Sequence, residues 1–197
     1  MVDARSLTQD RPARVHAPWR VRTGRLVLRR PNMADAPDMF ARYSSDPAAT
    51  RFLGWPTHRV LADTYRFLSF CDAQWECRGV GPYLVHSRDD GTLLGSAALS
   101  LETPWQAAAG YVFARDAWGQ GYATEALYAM RGLAGMLGVH RLYAVCHPAN
   151  AASRRVMEKA GLSREGILRG RAHFPNLQPG LAADVICYAA ALPGARV

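Results

Sequence analysis

Trp118-Gly119-Gln120-Gly121-Tyr122-Ala123-Thr124-Glu125-Ala126 follows a strand-like segment, Ala109 to Arg115, and opens an amphipathic helix. Glycines at 119 and 121 let backbone N–H groups approach a ligand with no Cβ in the way. The helix behind them turns its unpaired donors and positive dipole end to the same place. Such a cradle suits a phosphate or pyrophosphate. Two glycine fingerprints of nucleotide sites fail here. The dinucleotide pattern G-x-G-x-x-G needs glycine where the chain has Thr124, and the Gly-Lys-Ser/Thr ending of the mononucleotide pattern is absent.

Upstream of this loop, hydrophobic runs at Pro82 to Ser87 and Thr92 to Leu101 flank Arg88-Asp89-Asp90-Gly91, a hairpin signal, and a turn near Glu102 to Gln106 leads into a strand at Ala107 to Ala114. Before that meander, Arg25 to Arg30 reads as a strand. Asp35 to Ser45 reads as a short helix, and Arg59 to Arg78 as a longer one with Leu61, Tyr65, Leu68 and Trp75 at helical spacing. After the loop, the helix stripe Ala123, Ala126, Leu127, Met130, Leu133, Ala134 and Leu137 stops at Gly138. Leu142 to Cys146 is a strand, Asn150 caps a helix ending at Gly161, and Ser163 to Arg171 and Ala182 to Leu192 are the last two strands.

The 197 residues, 49% of them hydrophobic, suit one domain with one good core. No stretch reaches the ~18 consecutive apolar residues that span a bilayer, and the charged N-terminus has no apolar run behind it. A soluble cytoplasmic protein is expected. Residues 1 to 30 hold eight arginines and two aspartates, so +6 of the net charge of +8 lies there. Residues 1–21, with Pro12 and Pro18 and no periodicity, are expected to be a flexible basic extension, and residues 22–193 the domain. A basic leader could touch RNA, but a solvated tail is the expectation. Cys71, Cys77, Cys146 and Cys187 form no C-x-x-C pair and no histidine pair stands at metal spacing, so reduced thiols and no metal are expected.

Four segments together resemble the GNAT superfamily of acyl-CoA-dependent N-acyltransferases, in the branch of the ribosomal-protein N-terminal acetyltransferases RimJ and RimL. They are Thr23-Gly24-Arg25-Leu26-Val27-Leu28-Arg29, Gly110-Tyr111-Val112-Phe113, the loop Trp118 to Ala126, and Asn150 to Leu162. The resemblance implies an α/β (α+β) fold, a mixed, mostly antiparallel sheet of about seven strands flanked by about four helices. It implies acetyl-CoA as co-substrate, lying between the strands at 107 to 114 and 142 to 146. The pyrophosphate would rest on Trp118, Gly119, Gln120, Gly121, Tyr122 and Ala123, with Thr124 also at the cofactor, and the pantetheine arm on the backbone of Phe113 and Ala114. Homodimers are common in the family.

Asn150 and Ser153 have two readings: structural roles at a helix start, or, by the resemblance, contacts to CoA, with the serine near the departing thiol. Trp118 stands where most of the superfamily has a polar residue, as is usual in the RimJ/RimL-like branch; it is either a packing anchor or a cofactor contact. Glu125 is expected to make structural hydrogen bonds. Many relatives carry a glutamate on the strand before the loop as general base, but Ala107-Ala108-Ala109 stand here. Glu102 is the nearest substitute, with His147, His173 or a water chain as weaker options. A weak base favours acceptors such as α-amines, with a pKa near 8, over lysine, near 10.4. The expected activity is direct transfer of acetyl to a primary amine, foremost a protein or peptide N-terminus. A small-molecule or antibiotic acetyltransferase and a non-catalytic acyl-CoA sensor are the alternatives. Arg51 to Trp55 and the excursion around His173 are where the acceptor site is expected.

Overall fold

On β3 (Pro82–Ser87), Leu84 joins one hydrophobic core, while its neighbours Tyr83 and Val85 join another. That alternation is the period of two that a strand imposes, and it shows a sheet covered on both faces. The computed structural model describes residues 16–193. Its eight strands form one sheet: β1 (Arg20–Arg22), β2 (Leu26–Arg29), β3, β4 (Leu93–Thr103), β5 (Gln106–Phe113), β6 (Arg141–Cys146), β7 (Ser163–His173) and β8 (Ala182–Ala191). Their order is β1-β2-β3-β4-β5-β6-β8-β7, and every neighbouring pair is antiparallel except β5 with β6.

The helices are α1 (Ala36–Met39), continued by a wider turn at Phe40–Ser44, α2 (Pro47–Thr50), α3 (Leu61–Arg78), α4 (Tyr122–Met136) and α5 (Ala151–Lys159). α4 buries Ala126, Leu127, Met130, Leu133 and Ala134 in the larger core, with Leu26, Leu28, Leu99 and Leu142. The smaller core joins Ala36, Met39, Tyr43 and Leu68 to Leu84, Leu93 and Val112. On α3 the buried stripe is Thr64, Leu68, Cys71 and Trp75, and Tyr65 faces outward. Leu68 and Trp75 are buried as expected, but at the turn of Tyr65 it is Thr64 that faces inward, because its hydroxyl has partners there, Ser44 and His58. No disulfide joins the four cysteines. Cys71 is on the stripe and buried; Cys77 is off it and exposed.

The eighth strand comes from the segment expected to be an extension. Residues 1–15 of that expectation lie outside the described residues. From Ala17 on, however, the chain is built in: Ala17 is buried and donates to the Gly79 carbonyl at 2.8 Å, Tyr83 donates to the Pro18 carbonyl at 2.8 Å, and Arg20–Arg22 pair with β2. Arg-Val-Arg has a single apolar residue, too little for a periodicity signal, and pairing with a neighbouring strand forms it instead.

Candidate active site

β5 and β6 pair only from Gln106–Ala108 against Arg141–Tyr143. Beyond that point they part, although β5 stays paired to β4 as far as Phe113 and β6 to β8 as far as Cys146. The facing edges of 109–113 and 144–146 therefore lose their ladder partner, and backbone groups there need another. A cavity of about 820 Å³ opens at the parting. It is lined by both strand ends, by the loop and first turn of α4, by α5, and by a second wall made of residues 48–49, 51–54 and 172–174.

Gly121 precedes α4 with φ of +81°, and no side chain caps that helix, so its first amides are left for a ligand at the cavity. α5 differs: the Asn150 Oδ1 accepts from the Ser153 amide at 3.0 Å and closes that N-terminus. Arg155 and Lys159 line the cavity from α5, one turn apart. Uncapped amides with two cations nearby fit the phosphates of CoA, and the unpaired strand edges fit the amide-bearing pantetheine arm.

The loop is held from behind by the chain's opening motif. Arg25 donates from its backbone to Glu125 Oε1 at 2.8 Å, from Nε to Oε2 at 2.7 Å, and from a terminal nitrogen to the Gln120 carbonyl at 2.9 Å. Thr23 donates to the same carboxylate at 2.5 Å, and the Arg25 guanidinium lies 4.6 Å from the centre of the Tyr122 ring. Burial alone would push the Glu125 pKa up. The Thr23 and Arg25 donors outweigh it and hold the carboxyl below the ordinary glutamate value. Glu125 thus has the structural role expected of it.

Ser153 lines the cavity with its Oγ 2.9 Å from the Tyr111 hydroxyl, which also donates to the Ser153 carbonyl at 3.2 Å. Burial pushes the Tyr111 pKa up, so it remains a neutral hydrogen-bonding partner. Cys146 lines the cavity beside them, and burial raises its thiol to about 11, which keeps it protonated.

Of the residues expected at the cofactor, Phe113, Trp118, Gly119, Gly121, Tyr122, Ala123, Thr124, Asn150 and Ser153 line the cavity. Ala114 and Gln120 do not. The Ala114 amide donates to the Leu94 carbonyl at 2.8 Å, and the Gln120 side chain turns back to the Asp116 carbonyl. The Phe113 carbonyl already accepts the Trp118 indole at 2.8 Å, so Trp118 anchors the loop to the strand end while still lining the cavity. Residues 109–112 of β5 also line the cavity.

Glu102 is not among the lining residues. Tyr143 and Gln106 both donate to its carboxylate, at the paired end of β5 and β6, and the Tyr143 hydroxyl foremost holds its pKa below the usual range. A carboxylate so engaged is a poor proton acceptor. His147 is packed between Phe52 and Phe174 rings and does not line the cavity; His173 does. Tyr111, Arg155 and Lys159 were not foreseen as site residues. The spacing of Ala152, Arg155, Val156 and Lys159 marks one helix face and was a readable signal for the last two.

The sequence pattern of the Acetyltransferase (GNAT) domain matches residues 25–163, most of the chain. The chain belongs to the GNAT acetyltransferases. This GNAT chain is 29% identical over 151 residues to the uncharacterized N-acetyltransferase YoaA of Bacillus subtilis, covering 75% of this chain and 84% of the relative. Its fold superposes on a putative ribosomal-protein-serine acetyltransferase from Vibrio cholerae with a TM-score of 0.74, at 21% identity and over 90% of this chain and 100% of the other. Mycobacterium smegmatis RimJ, in complex with CoA-disulfide, superposes with a TM-score of 0.75 at 21% identity, over 90% of each chain. The GNAT fold, the acyltransferase class and the use of acetyl-CoA follow from this membership.

Proposed function

We propose that this GNAT enzyme acetylates the α-amine of a protein or peptide N-terminus by direct attack on the thioester, in the cytoplasm. The observation that carries the reading is the lining of the cavity: parted strand edges and an uncapped helix for the acyl donor, and no carboxylate to serve as a strong base. An α-amine reaches its free form at lower pH than a lysine and needs less help. The likeness to the ribosomal-protein acetyltransferase fold supports a polypeptide acceptor.

Acetyl-CoA, when bound, supplies the acetyl group as a thioester. The acceptor nitrogen forms the new C–N bond and loses a proton; the C–S bond breaks and the thiolate takes one up. Ser153 would donate its hydroxyl to the sulfur as charge develops; the Tyr111 hydroxyl, 2.9 Å from Ser153 Oγ and donating to the Ser153 carbonyl, fixes the serine in the cavity wall. Among the described residues His173 is the lining imidazole, and it takes the amine's proton directly or through water.

CoA release in the presence of peptides with different N-termini, small amines and a no-acceptor control tests the reading. Peptide-dependent release with N-terminal acetylation by mass spectrometry is expected. Release with small amines alone makes it a small-molecule acetyltransferase. Acetyl-CoA binding without release across the panel makes it a sensor, the reading that the absent carboxylate also favours.

A further inference from the structure

Among the described residues no aspartate or glutamate lines the cavity, yet arginines, a lysine and a histidine do. Arg155 and Lys159 belong with the uncapped end of α4 and the phosphates it suits. Arg51, on the second wall, has no such assignment. Arg25, Arg29, Arg30, Arg42, Arg115 and Arg141 each pair with a carboxylate. Arg51 is exposed, has no ion pair among the described residues, and rests 5.2 Å from the centre of its neighbour's ring, Phe52. Phe52 stacks on His147 at 5.5 Å, and His147 meets Phe174 edge-on at 5.1 Å. The guanidinium is thus carried on a shelf of rings at the cavity wall that His173 shares.

We infer that the acceptor carries a carboxylate close to its reacting amine, and that Arg51 recognises it. This rests on the acetyltransferase reading above and names the substrate class of the same site. A guanidinium binds planar oxyanions through paired hydrogen bonds, and one already lying on an aromatic ring loses little freedom in doing so. A purely cationic acceptor, such as a polyamine, finds no carboxylate in the cavity to pair with. Positive charge beside the amine also favours its unprotonated, nucleophilic form.

The test compares acceptors at equal concentrations of unprotonated amine, because a neighbouring carboxylate makes an amine more basic: an amino acid against its amide, and a peptide with aspartate at its second position against the same peptide with asparagine. The first pair reports a small-molecule carboxylate and the second an acidic polypeptide terminus. The anionic member of one pair is expected to win by roughly tenfold in kcat/KM. Arg51→Ala is expected to bring that ratio near one, and Arg51→Glu to invert it. Acetyl-CoA affinity, measured by calorimetry, shows whether each variant folds and whether the arginine serves the cofactor instead. Equal or reversed preference in the parent protein overturns the inference. So does a preference that survives Arg51→Ala, or a variant that loses acetyl-CoA affinity and keeps its preference. If no acceptor is turned over, the acetyltransferase reading fails separately. The N-acetylated products of the same pairs, titrated onto the CoA-loaded protein, then decide: tighter binding of the charged product supports the assignment, and equal binding overturns it.

Discussion

The two walls of the cavity are made in different ways. The cofactor wall is a matter of backbone: glycines at 119 and 121, an uncapped helix, and two strands that stop pairing. The second wall is a matter of side chains from irregular segments far apart in the chain. Asn176 donates to the carbonyls of Thr50 and Trp55 at 2.8 and 2.9 Å and accepts from the amide and hydroxyl of Thr57 at 2.8 and 3.2 Å, so one carboxamide joins both segments. Backbone demands restrict which residues can stand where, while a wall of side chains can be rebuilt with many compositions. Within this molecule, the first wall is suited to a fixed ligand and the second to a variable one.

Gly121→Val breaks the contrast most severely. Its positive φ is costly for a β-branched residue, and a Cβ there meets the Arg25 guanidinium at 3.4 Å. Acetyl-CoA affinity should fall by more than roughly 100-fold by calorimetry; near-parent affinity would show that the loop's backbone is not what binds. Ser153→Ala should lower kcat by about 100-fold with acetyl-CoA affinity within a few fold, since a donor aimed at developing charge acts mainly on the chemical step. An unchanged kcat would leave Ser153 a helix-start residue and nothing more.

Glu125→Gln loosens the loop from behind and should weaken acetyl-CoA binding about tenfold. The same carboxylate has a lowered folded pKa, so its contribution is complete above the ordinary value of 4.5 and disappears as pH falls through the lower folded value. A plot of acetyl-CoA affinity against pH for parent and Gln variant should converge only in acid; curves parallel throughout would remove the latch from the account. Asn176→Ala should act on the other wall, raising the acceptor KM about threefold to tenfold with little change in acetyl-CoA affinity. The reverse pattern would merge the two walls into one. Glu102→Gln should change kcat by less than about twofold, because its carboxylate is engaged away from the cavity. A loss of 100-fold would restore it as the base.

Legibility followed the same division. The loop, the Asp-Gly hairpin and the α4 stripe were readable because each requirement is local: a glycine conformation, a turn, a period. β1 was not, since Arg20-Val21-Arg22 becomes a strand only through β2. That the Ala114 amide turns to β4 was not legible either, because strand order alone cannot tell which edge an amide faces and its partner Leu94 is 20 residues away. Glu102 looked available for the same reason; Tyr143, which engages it, arrives from a different strand. Asn176 carried no signal at all, being one polar residue in a polar excursion.

The parting of β5 and β6 has a consequence for the lifetime of the protein as well as for its chemistry. Exposed strand edges recruit other chains, and the outer ones here are guarded: β1 is three residues long, and β7 carries Arg164, Glu165, Arg169 and Arg171. The inner edges, alanine, glycine and valine among their residues, bear no charge, and a ligand laid between them would take the place of such a guard. At a hundredfold excess over its Kd, a ligand adds about 2.7 kcal/mol to the folded state. A ligand seated between the strands would therefore protect the fold as well as serve the reaction, and proteolysis of the purified protein should slow as acetyl-CoA is added.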